Sequence, residues 1–169
     1  MIRHRRHRAP LACLLATAIA AITGCTPPVF RTATGIDATP ALVALGADRY
    51  AGSEVLWGGK VLDLRNGGED SEIQVAAYPL DRARRPDPSA RVQGRFLVVL
   101  PGFVEPLDWP AGRYVTVHGR LEGTRTRVIA GHDYVYPVVA QAEVHLWPEN
   151  FPRERRRVSF GIGVGVGIR

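Results

Sequence analysis

The chain has 169 residues, enough for one globular core, and a nominal charge of +6 that does not belong to its body. Four Arg and no acid fall in residues 1–24, and five Arg against one acid in 153–169, which leaves 13 basic and 15 acidic groups in 25–152. A body so close to neutral has no charge excess suited to nucleic acid.

The first element is a targeting segment. Arg3, Arg5, Arg6 and Arg8 form a basic head, and an apolar run follows from Leu11 to Ile22. That run is well short of the ~20 residues that span a bilayer, and Pro27 and Pro28 stop any helix from continuing. Ile22-Thr23-Gly24-Cys25 then places small residues directly before a cysteine, the pattern of a cleavable signal whose product is lipid-modified. It predicts diacylglyceryl transfer to the Cys25 thiol, cleavage before Cys25 and acylation of the new amino terminus. Cleavage would discard Cys13 and lipidation would occupy Cys25, leaving no thiol for a disulfide or a metal. Thr26 stands where an Asp would signal inner-membrane retention, so the expected address is the periplasmic face of the outer membrane.

Residues 25–38 are polar and punctuated by Pro and Gly, and read as a tether able to reach about 50 Å when extended. Thr39-Pro40 is an N-cap followed by proline at the first helical position, and Gly46 is the stop of one short helix. From Glu54 the pattern is strands and turns. Val55, Trp57, Val61, Leu62 and Leu64 belong to one long strand, with Gly58-Gly59 as its expected bulge or bend. Asn66-Gly67-Gly68 signals a hairpin into a strand that alternates Ile73, Val75 and Ala77 with Glu72, Gln74 and Ala76. A Pro-rich loop at 81–90 precedes an apolar strand through Phe96–Leu100, and a second loop covers 101–112. Tyr114–Leu121 is the next strand, Gly123-Thr124 turns into a short one through Ile129, and a last strand runs from about Tyr134 to Trp147. Pro137 puts that strand at an edge or a bulge.

About six strands behind one short helix predict a mainly β chain. The fold expected is a single small antiparallel β-barrel, OB-like because of the bend in its first strand. The divisions are a signal peptide (1–24), a lipidated tether (25–38), the barrel domain (39–148) and a C-terminal tail (149–169).

Seven short motifs occur in order across this domain. They are Trp57-Gly58-Gly59, Tyr78-Pro79-Leu80-Asp81, Arg95-Phe96-Leu97, Pro101-Gly102-Phe103, Val115-Thr116-Val117-His118-Gly119-Arg120, Tyr136-Pro137-Val138-Val139 and His145-Leu146-Trp147. The series resembles the Slp family of outer-membrane lipoproteins, over nearly all of 40–148 and including the lipidated cysteine. The resemblance implies an anchored, periplasm-facing β-domain linked to envelope physiology in starvation or stress. It supplies no catalytic residues, and Cys25 is the one functional position it carries over.

The remaining constellations point away from chemistry. His118, His132 and His145 lie on separate segments with no local His pair, so no metal site is expected. Ser53, Ser71, Ser89 and Ser159 lack a nucleophile elbow. Asp63, Glu105 and Asp108 are the carboxylates a glycosidase would need, without spacing that brings two together. Arg153, Arg155, Arg156 and Arg157 form a charge run, either a solvated linker or a contact for anionic lipid headgroups or acidic polymer. The Gly-alternating stretch 161–168 that follows reads as a strand with one bare face laid against the barrel, as a poorly ordered tail, or as a strand that meets a partner's edge or the membrane. Phe103 and Trp109 are the aromatics expected to be exposed for a partner, with Phe103 alternatively a plug in the core.

No enzyme and no cofactor are expected. The leading function is a non-catalytic structural or interaction lipoprotein that meets an envelope protein, anionic lipid or the cell wall. The alternative is a carrier holding a lipid or wall fragment in the barrel mouth.

Overall fold

The apolar residues after Ser53 form one strand, β1 (Glu54–Asn66), and its two glycines decide how the sheet closes. In the computed structural model, which describes residues 30–151, β1 is paired on both sides over Gly58–Lys60. One neighbour is β2 (Asp70–Tyr78) and the other is β4 (Tyr114–Ile129). With β3 (Arg95–Pro101) and β5 (His132–Leu146) they make a closed barrel in the order β1-β2-β3-β5-β4. Every contact is antiparallel except the seam between β3 and β5, which is parallel and only two residue pairs long.

Gly58-Gly59 is not the expected bulge. The register of β1 slips three residues later, between Val61 and Asp63. The glycines serve close approach: a Cβ on Gly59 would collide with the Ala76 carbonyl, and one on Gly58 with Leu80 and Pro86. The segment expected to be a separate short strand after Gly123 is also different, because β4 runs unbroken to Ile129 and there are five strands. Gly123, at φ +135°, forms a bulge opposite Val138, and Gln141, at φ +48°, forms a second one on β5. Each extra residue adds twist and bends its strand. Beyond these bulges residues 124–137 pair only with one another, as a two-stranded ribbon turned by Ala130-Gly131, both at positive φ. Pro137 lies on this stretch, just before β5 meets β3.

Alternation sends Val55, Trp57 and Val61 inward with Ile73, Val75, Phe96, Val98, Val115, Val117 and Val139, and these fill the barrel. A short helix, α1 (Pro40–Ala44), packs against β3 and β5 and buries Val43 in the same core. At five residues it has no stability of its own. Thr39 Oγ1 accepts from the Leu42 amide at 3.3 Å, and Trp57 Nε1 ties the approach to the helix by donating to the Ala38 carbonyl at 2.8 Å. The tether is shorter than its composition suggests. Phe30 already lies 6.0 Å from the His118 ring, and Ile36 N–H donates to the Glu54 carbonyl at 2.9 Å.

The 81–90 loop is folded onto the barrel. Asp81 accepts from the amides of Ala83 and Arg85, and Thr116 Oγ1 donates to the Arg84 carbonyl at 2.8 Å. Next to it Tyr78, Tyr114, Trp147 and Phe151 form an aromatic cluster outside the barrel, so the folded domain extends to Phe151, past the boundary expected at 148. Burial, and then the neighbouring Tyr78, push the Tyr114 phenol up.

Two predictions follow from this packing. Gly59→Ala should lower stability by about 1–3 kcal/mol through overpacking. Gly68→Ala, where a Cβ would meet nothing within 4 Å, should leave the urea midpoint nearly unchanged; equal midpoints would contradict the close-contact role. Burial holds the His145 imidazole, 4.5 Å from the Trp147 ring, below its ordinary value. The unfolded chain therefore takes up that proton more readily, so stability is full above about pH 6.5 and falls as pH drops through it. Acid titration of His145→Gln should show a shallower loss over that window, and an identical acid limb would remove His145 as a contributor.

Candidate functional site beneath the β4–β5 ribbon

The ribbon does not project into solvent. Its inner residues lie across the outward face of β2 and β3, the face left free when Ile73, Val75, Phe96 and Val98 turn to the core. Tyr136 is fully buried there with Leu97 and Val138, and Val99, Ile129 and Tyr134 pack around them. The Tyr136 hydroxyl meets the Gln74 amide and lies 3.5 Å from Arg95 Nη1. Arg95 also stands over the Tyr134 ring, 5.5 Å from its centre.

Farther along the ribbon the packing becomes ionic. Period two on β4 puts Arg125 and Arg127 on the same side, and both guanidiniums bond the carboxylate of Glu72 on β2. Glu72 is only 14% exposed in its side chain, so this is a half-buried clasp. On β1 beside it, Arg65 Nε donates to Asp63 Oδ2 at 3.0 Å. Between ribbon and barrel these groups bound a cleft of about 360 Å³, which Gln74, Leu97, Thr126 and Ile129 help to line. Its size falls within the ~300–1,000 Å³ typical of ligand sites.

The barrel interior, whose mouth the alternative reading assigned to a carried ligand, is occupied by the core side chains. α1 and Val43 cover one end. At the other, the loop joining β3 to β4 crosses with Trp109 against the core. The two candidate aromatics therefore take opposite roles: Trp109 is half-buried as a plug, and Phe103 is 72% exposed. Asn66 and buried Ser71 pin the loop's start, since Asn66 Nδ2 donates to the Val104 carbonyl at 3.0 Å and Ser71 Oγ lies 2.7 Å from the Gly102 carbonyl. Leu107, 86% exposed, adds a second apolar side chain on this loop.

The other candidates are dispersed. His118 sits under Phe30 with Glu54 Oε2 3.7 Å from its Nε2, His145 is against Trp147, and His132 is exposed at the ribbon turn. Among the described residues, no three His, Cys, Asp or Glu side chains are placed to share a metal. Glu105 caps a 3-10 turn by accepting from the Leu107 amide at 3.3 Å, and Asp108 lies within that turn. Ile22, Thr23, Gly24, Cys25 and Arg153, Arg155, Arg156 and Arg157 lie outside the described residues, as does the Gly-alternating stretch. The cleft residues Arg65, Glu72, Gln74, Arg127 and Tyr136, and Arg125 bonded to Glu72 beside them, were not singled out from the sequence. The signal that marks them is the alternation Thr124-Arg125-Thr126-Arg127 directly after a glycine, which places two arginines on one face of a bent strand.

Glu72→Ala should release both guanidiniums and loosen the ribbon. The cost expected is about 1–2 kcal/mol, between that of exposed and of buried ion pairs. Hydrogen exchange should speed at ribbon amides 125–136 and stay slow in β1 and β2; unchanged ribbon protection would mean that the aromatic packing alone holds it.

The family model described as "Outer membrane lipoprotein Slp family" matches residues 22–162. The Escherichia coli K12 "Outer membrane protein Slp" is 31% identical over 98 residues, covering 58% of this chain and 52% of that protein. The "Uncharacterized lipoprotein YeaY" of the same organism is 31% identical, covering 58% and 50%. A Haemophilus influenzae protein described as uncharacterized is 35% identical over 91 residues, covering 53% and 49%. The chain spans about half the length of the curated relatives it matches. Among solved structures, the Plasmodium falciparum SSB complex with ssDNA aligns at TM-score 0.30 and 15% identity, over 56% of this chain and 94% of that one. With its family match running from the residues before Cys25 through the whole barrel, the chain belongs to the outer membrane lipoprotein Slp family.

Proposed function

We propose that this outer-membrane lipoprotein is a non-catalytic binding module, held by lipid on Cys25 at the periplasmic face, that meets an envelope partner through the ribbon cleft. The observation that carries this reading is the cleft itself, a polar recess on the outward face of a barrel whose interior is full. A binding role is favoured over catalysis because the cleft carboxylates of Glu72 and Asp63 are both engaged by guanidiniums. Membrane proximity supports the anchoring. Only residues 26–29 separate Cys25 from packed Phe30, a reach of less than about 20 Å. Phe103 on its pinned loop is a secondary contact, and the arginines at 153, 155, 156 and 157 add adhesion to anionic lipid or polymer, about 1 kcal/mol each near a charged surface. Work in envelope maintenance under starvation or stress follows from the family resemblance.

In-cell photo-cross-linking of the lipidated protein tests this. Probes at Thr126 and Val128 on the ribbon should capture a discrete partner, and a probe at Leu45, exposed at the end of α1, should not. No adduct from either ribbon position, or the same adduct from Leu45, would overturn the reading. Deleting 153–169 should lower adduct yield, and an unchanged yield strikes out the tail contact.

A further inference from the structure

We infer that the ribbon cleft is a site for an acidic saccharide, a glycan that carries carboxylate groups. The inference rests on the binding role proposed above and names the ligand class. Donors and acceptors stand side by side in the cleft: the guanidiniums of Arg65 and Arg127, the carboxylates of Asp63 and Glu72, and the Gln74 amide. A ligand that meets both kinds at short spacing must itself donate and accept, as a hydroxyl does with one O–H and two lone pairs. An acyl chain offers neither, and would cover these ion pairs without meeting their remaining donors and acceptors.

Charge narrows the class. Arg65 and Arg127 match Asp63 and Glu72 in the lining, and two further guanidiniums stand beside it, Arg125 on Glu72 and Arg95 at the Tyr136 hydroxyl. Each guanidinium has five N–H donors in a planar fork, and the contacts to Glu72 and Asp63 occupy only part of that set. The free donors suit a planar anion, and a carboxylate on a sugar brings one together with hydroxyls.

Position adds weight. The cleft lies on the outward face of β2 and β3, between side chains from the β1–β2 hairpin and from the β4–β5 hairpin. Five-stranded Greek-key barrels of the OB type take oligonucleotides or oligosaccharides on this face, between these two connections. The outer-membrane address removes genomic nucleic acid from reach and leaves the saccharide. Fold analogy alone would not assign a ligand; the side chains in the cleft do that.

The test uses the full mature lipidated protein in detergent micelles, titrated by calorimetry with two disaccharides. One is N-acetylglucosamine linked to N-acetylmuramic acid, whose lactyl group carries a carboxylate; the other is N,N′-diacetylchitobiose, which lacks it. The acidic sugar should bind at least about tenfold more tightly, the scale of one charge-assisted contact. Arg127→Gln should weaken it by a similar factor, and so should Arg65→Gln, whose more exposed side chain carries less folding risk. Equal binding of both sugars with no effect of either variant would overturn the acidic assignment. Equal binding of a short polyglutamate peptide would make the cleft an acidic-peptide groove and overturn the saccharide. Silence toward every probe, with cross-links from Thr126 and Val128 intact, would refute the saccharide while the binding role stands; loss of both would refute the two together.

Discussion

The absence of side chains at Gly58 and Gly59 is the constraint on which the rest of the molecule depends. In a closed barrel of five strands each strand pairs on both edges, and β1 carries both neighbours at once over only three residues. At that crossing β2 and the 79–90 loop press so near that no Cβ fits. Because β1 can be approached there, its two halves are free to serve different neighbours, with Glu54–Lys60 against β4 and Gly58–Asn66 against β2. The core then forms as a consequence of closure, from valines that all face one axis.

A second consequence is that the β4–β5 hairpin is longer than the barrel needs. The surplus must go somewhere, and the bulges at Gly123 and Gln141 determine where. They turn the hairpin over the outer face of β2 and β3, where a small apolar patch holds its base and Glu72 clasps its middle. The cleft is thus made by the same departure from regular pairing that ends the barrel. Its polar groups sit on strands, whose backbone positions are set by the sheet, and not on loose connections. That is the sort of support a binding constellation requires.

How much of this was legible in the chain depends on whether a feature is local. Thr39-Pro40, the Asn66-Gly67-Gly68 hairpin and the alternation through Ile73, Val75 and Ala77 are read within a few residues, and all three are found where the pattern puts them. At the Gly58-Gly59 pair the bulge reading misplaced the register shift, and the close contact with Ala76 was missed because it involves a neighbour the sequence does not display. Gly123 signalled a turn, yet a strand with a bulge and a strand that ends look alike until the partner's register is known. Phe103 and Trp109 illustrate the same limit: both are loop aromatics, and which of them enters the core is set by how the loop crosses the barrel end. The cleft was the least legible part. Glu72 and Arg127 are 55 residues apart, and only the folding-over of the ribbon makes them neighbours.

The way the chain's amino-terminal end lies on the barrel has a mechanical side. Residues 30–38 are attached at separate points, with bonds at Ile36 and Ala38, the side chains of those two residues against the core, and Phe30 resting on His118. A load applied ahead of residue 30 meets these bonds in succession, as a peeled strip does, whereas the strands beyond are loaded along many bonds at once. Tension from the amino-terminal side would therefore lift this strip before it disturbed the barrel, adding about 30 Å of slack from nine residues. The attachment is a mooring line with part of its length stowed against the hull.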